Sequence, residues 1–159
     1  CMIHFLRGES RTALSWVDKI LDEHGASARR DIQGFARILL IVLHYDLGND
    51  EILPSLWRSA YRYLYSRKRL AEFESILLKT LRQLSQQPPP EQLKKILGTF
   101  LASAASQKEK QPSIGKRELL LWVEARLRGK DVLAIIREKG QAYDAPAEEL
   151  FSVLSKGIN

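Results

Sequence analysis

Between Arg58 and Arg69 the chain reads Arg-Ser-Ala-Tyr-Arg-Tyr-Leu-Tyr-Ser-Arg-Lys-Arg, which gathers three of its five tyrosines among five basic side chains. Arg58, Arg62 and Arg69 share one helical face if the helix runs unbroken through them, and Tyr61 and Tyr65 lie beside them. Guanidinium and aromatic groups together can grip a carboxylate, a phosphate or a nucleobase. The competing reading is an exposed helix face whose long side chains cover the tyrosines beneath.

Other residues with chemical capacity do not assemble into a reaction centre. His44-Tyr45-Asp46 places a base, a phenol and an acid in a row. On a helix, neighbouring side chains point in different directions, so the three do not converge. They read as a helix end with His44 and Asp46 near the surface. Cys1 could act as an N-terminal nucleophile, with His4 within helical reach, but nothing in the sequence orients that pair. A lone cysteine permits neither a disulfide within the chain nor a cysteine zinc site. The histidines at 4, 24 and 44 fall one per segment, without an HxxxH or HExxH spacing. Neither GxxxxGK[ST] nor GxGxxG occurs, so Gly8, Gly48 and Gly129 read as helix-turn glycines. We therefore expect no catalytic residues, no cofactor and no metal, and a protein that is not an enzyme.

The elements that must position the Arg/Tyr segment are helices. Apolar residues recur at three-four spacing in every major stretch, and no stretch alternates with the period of a strand. Ala13, Leu14, Val17, Ile20 and Leu21 mark a helix over 9–24, which Gly25 is placed to end. The stretch 28–47 is apolar nearly all round, from Ile32 and Phe35 to Val42 and Leu43, and so belongs at the centre. Asn49 and Asp50 cap a helix over about 51–67 with Pro54 in its first turn and Leu53, Leu56, Trp57, Ala60, Tyr61 and Leu64 inward. A helix over about 70–85 follows, and nothing marks whether 67–69 is a turn or a kink. Gln86-Gln87-Pro88-Pro89-Pro90 stops it. Further helices are expected over about 91–104, 114–128 and 131–138, with a polar loop at 106–113. A last helix opens at Pro146 with Leu150, Phe151 and Leu154 inward.

Composition sets the frame. Hydrophobic residues make up 45% of the chain, enough for a globular core. Lys plus Arg number 25 against 19 Asp plus Glu, a net charge of +6. The basic residues are interspersed with acids, which permits an acidic partner without demanding nucleic acid. The longest apolar run, Ile38 to Leu43, is far short of the roughly 20 residues of a membrane span. No signal segment opens the chain, and with one cysteine the expected setting is the cytoplasm. Cys1 to Leu6 reads as the last turns of a helix already under way. The chain is thus expected to be a C-terminal piece of a longer protein, with Met2, Ile3, Phe5 and Leu6 as an apolar edge open to self-association.

Three turns repeat. Gly8 and Ala13, Gly48 and Leu53, and Gly129 and Ala134 share one spacing, with Gly8 and Gly48 40 residues apart and Gly48 and Gly129 81 apart. Gly8, Ala13, Val17 and Ile20 stand where the tetratricopeptide repeat has the small residue ending its first helix and three packing residues of its second. Gly48, Leu53, Trp57 and Ala60 match with a large residue in the second slot, and Gly129 and Ala134 match alone, Glu138 and Gln141 departing from the pattern. The aromatic and Leu-Gly signature of the first helix is missing, and the spacing exceeds the family's roughly 34 residues. The chain thus resembles a divergent tetratricopeptide-like array. Phe5 to Leu21 and Ile32 to Leu84 look similar to bacterial helical-repeat proteins of unassigned activity.

That resemblance implies an all-α fold of seven to eight helices, packed as antiparallel hairpins in a short right-handed superhelix. Residues 1–87 would form the tetratricopeptide-like hairpins and 88–159 would continue the array. It also implies a protein-interaction or scaffold module of a larger protein, without catalytic residues. The partner would be a protein or peptide, held by Arg58, Arg62, Tyr61, Tyr65 and Arg69. The alternative is a basic helical adaptor for nucleic acid.

Overall fold

The computed structural model describes residues 1–22, 29–67, 70–107 and 113–140. Among these lie eight α-helices and no strand: α1 (Met2–Leu6), α2 (Ser10–Asp22), α3 (Arg30–Asp46), α4 (Leu53–Ser66), α5 (Glu72–Leu84), α6 (Pro90–Ser106), α7 (Lys116–Arg128) and α8 (Val132–Glu138). A single 3-10 turn, Asp50–Ile52, leads into α4. Gly25, the expected helix opening at Pro146, and most of the lysine-rich loop fall outside the described residues.

Each helix packs against the next in sequence, so the chain forms four successive pairs. The turn inside a pair has a fixed chemistry. Gly48 ends α3 at φ +71°, with its N–H on Tyr45 C=O and the N–H of Asn49 on His44 C=O. This closes the last turn of α3 and leaves few carbonyls without a donor. Gly8 and Gly129 make the same two bonds after α1 and α7. A fourth turn has no glycine. Gln87, at φ 51°, takes the left-handed position after α5, its N–H on Leu84 C=O. The four left-handed residues lie 40, 39 and 42 positions apart, which is the helical repeat made complete.

Burial of α3 organises the pairs. Nine of its residues are buried, among them Phe35, Ile38, Leu39, Ile41, Val42 and Leu43. Helices α2 and α4 flank it, and α5 touches it as well. Gly34 lets α4 come close, since a Cβ there would meet Leu64 Cδ2 at 2.9 Å. The remaining side is reached from the far end of the chain. At Gly115, φ +71°, a Cβ would lie 2.1 Å from the Phe35 ring, so only glycine lets the start of α7 settle there. Helix α7 also meets α1. The last pair thus returns to the first two.

The N-terminal helix corrects one expectation. Phe5 and Leu6 are not an open edge; they are buried in the same core as Val17 and Leu39. Met2 is half-buried against that core. A second correction concerns Tyr61, expected inward on α4 but 39% exposed.

At Gly48 no neighbour lies within 4 Å of a built Cβ, so only backbone strain opposes a side chain. Gly48→Val should therefore lower stability by about 1 kcal/mol or more, and Gly48→Asn by less, because asparagine tolerates the left-handed region. Gly115→Ala should cost more than Gly48→Ala, since it adds a clash to the strain. Denaturant midpoints of the variants check both orders.

Candidate functional site

Helix α4 presents the sequence's Arg/Tyr segment in a defined geometry. Leu53, Ala60 and Leu64 bury one side of the helix. Four-residue spacing then sends Trp57, Tyr61 and Tyr65 up a neighbouring stripe. Their rings stack in series: Trp57 to Tyr61 at 5.2 Å and 14°, Tyr61 to Tyr65 at 6.0 Å and 12°. The ladder is anchored at its foot. Trp57 Nε1 donates to Leu78 C=O on α5 at 2.8 Å, and the Arg82 guanidinium lies over the same indole, 5.0 Å from its centre. Exposure rises along the ladder to 68% at Tyr65. Among the described residues, the exposed large hydrophobics Ile52, Tyr61 and Tyr65 all belong to α4 and its leading turn.

Arg58 and Arg62 follow Trp57 and Tyr61 by one position each, so they form a second stripe beside the ladder. Both are exposed. No ion pair involving either is recorded among the described residues, and α4 contains no Asp or Glu. The expected trio with Arg69 does not rest on one helix. Helix α4 ends at Ser66, where the Arg67 N–H returns to Tyr63 C=O, and α5 begins at Glu72. Arg69 itself lies outside the described residues. Tyr63 and Arg67 belong to a different contact: the Tyr63 ring has Arg37 of α3 at 4.3 Å and Arg67 at 5.4 Å. Sequence reading missed Arg82 and the role of Trp57 as the base of the ladder. The signal for Trp57 was present, in the unbroken four-residue spacing 57, 61, 65. Arg82 carried none, because it arrives from another helix.

Among the described residues, most basic side chains outside α4 are engaged. Arg128 and Lys130 pair with Glu138, Lys139 with Glu124, and Arg29 with Asp31. Lys19 and Lys116 lie over Trp16 and Phe73. A hollow of ≈ 680 Å³ between α3, α5 and α7 has an apolar floor that includes Phe35, Ile38 and Phe73. Its rim mixes Arg30 and Arg67 with Asp31 and Glu74, so it concentrates neither sign of charge.

The residues with catalytic potential are each held in structural contacts. Cys1 Sγ donates to Ala13 C=O at 3.8 Å. His4 Nδ1 meets Glu9 Oε2 at 2.5 Å. His44 Nδ1 accepts from Asn49 Nδ2 at 3.0 Å, and burial holds its pKa below the usual histidine value. His24 lies outside the described residues. Among the described residues no cluster of His, Cys, Asp and Glu could hold a metal, and no helix is long and apolar enough to cross a membrane.

Asp46 is not near the surface as expected; its side chain is 11% exposed. Trp122 Nε1 of α7 donates to both its oxygens, at 3.0 and 3.1 Å, and Arg126 pairs with it. Burial raises its pKa, with Arg126 and the Trp122 hydrogen bond opposing that rise. The carboxylate therefore ties the second helix pair to the fourth.

No protein-family model matches the chain, and no curated protein or solved structure shows significant similarity to it.

Removing Asp46 leaves the Trp122 N–H and Arg126 without their acceptor, so Asp46→Ala should cost about 1–3 kcal/mol. The pH dependence has a definite sign. The folded protein holds the Asp46 proton more tightly than the unfolded chain does. Stability from this group is therefore greatest below 3.8, the ordinary value, and falls as pH rises through the raised folded pKa. Asp46→Asn lacks that titration, so its stability relative to wild type should improve as pH rises through the same window. Urea unfolding of both proteins across this range measures it; a constant difference would contradict it.

Proposed function

We propose that the protein is a non-enzymatic interaction module whose α4 face binds a protein or peptide partner. The observation that carries this reading is the Trp57–Tyr61–Tyr65 ladder, exposed beside Arg58 and Arg62 on a helix without acids. Tyrosine and arginine supply a large share of the binding energy at protein interfaces, and here the stacked rings are ordered before a partner arrives. The non-enzymatic part draws support from His4, His44 and Asp46, whose polar partners are all structural.

The four pairs, with their turns at a near-constant spacing, also support a helical-repeat array, for which we further propose a tetratricopeptide-type origin and a right-handed winding. A cytoplasmic setting is part of the same reading, supported by the single free cysteine. The nucleic-acid alternative finds less support. Among the described residues, most basic side chains outside α4 are paired or lie over aromatic rings, whereas a nucleic-acid surface pools free positive charge along a continuous path.

The test is affinity capture from extracts of the source cell, comparing wild type with the Tyr61→Ala/Tyr65→Ala variant. The variant should keep its helical circular dichroism and stay folded, with an unfolding midpoint lowered only by the lost ring stacking, about 1–3 kcal/mol. A partner retained by wild type should fall at least tenfold in the variant. Undiminished capture would remove α4 from the site. Retention of nucleic acid with a steep salt dependence would favour the alternative.

A further inference from the structure

We propose that the α4 face receives an acidic helix, one carrying Asp or Glu pairs four residues apart. This rests on the reading of α4 as an interaction face and narrows it to one class of partner.

The first argument is the shape of the face. Trp57, Tyr61 and Tyr65 form one ridge, and Arg58 and Arg62 form the ridge beside it. Each repeats every fourth residue, a rise of about 6 Å along the helix. Two parallel ridges leave a groove between them. Helices pack by laying a ridge of the same four-residue repeat into such a groove. An extended peptide sets same-side residues about 6.7 Å apart, so it is offset by about 1.4 Å after two repeats and matches the face less well.

The second argument is charge. Helix α4 has no acid of its own, whereas every other described helix except the short α1 carries at least one Asp or Glu. Arg126, Arg128, Lys130 and Lys139 each have a carboxylate partner. Arg58 and Arg62 have none recorded among the described residues. An incoming helix with carboxylates at the same four-residue repeat would meet both guanidinium groups from one side, where charge-assisted hydrogen bonds form.

Ring geometry separates this partner from nucleic acid. Bases bind aromatic side chains through the ring faces. Here the faces are in use: Tyr61 lies between Trp57 and Tyr65, and Trp57 has both Tyr61 and Arg82 over its indole. Among the described residues, Tyr65 is the most exposed of the three rings, at 68%. What the ladder offers to solvent is ring edges and phenol hydroxyls, suited to apolar and hydrogen-bonding side chains of a helix.

The experiment uses the full chain and a displayed library of helical 20-residue peptides randomised on one face. Peptides retained by wild type are counter-selected against Arg58→Glu/Arg62→Glu, whose fold is checked by circular dichroism. The expected peptides carry acids at four-residue spacing and bind wild type at least tenfold tighter than the variant. Changing those acids to lysine should abolish binding to wild type and restore it to the Glu variant, which simple misfolding cannot do. No retained peptide, retained peptides without acids, or binding indifferent to Arg58 and Arg62 would overturn the proposal. So would tighter binding of oligothymidylate at this face, or self-association of wild type that the Glu variant abolishes. Non-acidic peptides that depend on Tyr61 and Tyr65 would sink the acidic helix alone. Loss of the interaction reading itself would require that the two tyrosines also prove dispensable.

Discussion

Helix α3 carries apolar side chains around most of its circumference, and this creates a demand that one neighbour cannot meet. Each of its buried Leu, Ile, Val and Phe side chains contributes about 1.5–3 kcal/mol only when water is excluded. Helices α2 and α4 cover two sides and α5 adds part of a third. On the remaining side α7 reaches α3 at two points, Gly115 against Phe35 and Trp122 with Arg126 on Asp46. A four-pair array could run open-ended, with each pair touching only its neighbours. Here the central helix pulls the fourth pair back onto the first two.

That closure decides where a surface for partners is left. Helix α4 packs on α3 by one side and on α5 by another. Its outward side is then free of the core and carries the aromatic ladder. The ladder is rigid for reasons set inside the fold: the Trp57 hydrogen bond to Leu78, the Arg82 guanidinium above it, and ring stacking upward from there. Stacked pairs of this kind contribute about 0.5–1.5 kcal/mol beyond simple burial. Side chains ordered in advance lose little entropy when a partner binds, which is why an exposed but fixed ladder makes a better contact surface than the same residues on a loop.

How much of this the sequence revealed depends on the range of the interaction. Local signals were legible. The central place of α3 follows from its composition, and three of the four turns follow from glycines at one spacing. The fourth was hidden because Gln87 adopts a left-handed backbone that its residue type does not announce; three following prolines suggested a simple stop. Asp46 was misplaced because helix-end acids are usually solvated, and Trp122 lies 76 residues away. Phe5 and Leu6 looked like an open edge, yet α1 packs on α2 and also on α7, which lies far along the chain. The candidate face was legible as far as one helix carries it: Tyr61, Tyr65, Arg58 and Arg62 stand together as their spacing implies. Arg69 did not join them through a continuous helix, since the helix ends at Ser66.

The distribution of charge gives the face its meaning more than the net +6 does. A basic protein can be basic everywhere, and then its charge says only that it avoids other cations. In this chain some acids lie close to bases, as in the set joining Glu124, Arg128, Glu138, Lys130 and Lys139 around α8. Exposed pairs like these contribute little to stability. Their effect on recognition is larger, because a paired cation attracts an incoming anion weakly. Arg58 and Arg62 stand on a helix that supplies no acid, with tyrosines beside them and the core behind. Long-range attraction and short-range contact area therefore coincide on one side of α4, a combination that selects among partners and not only against like charge.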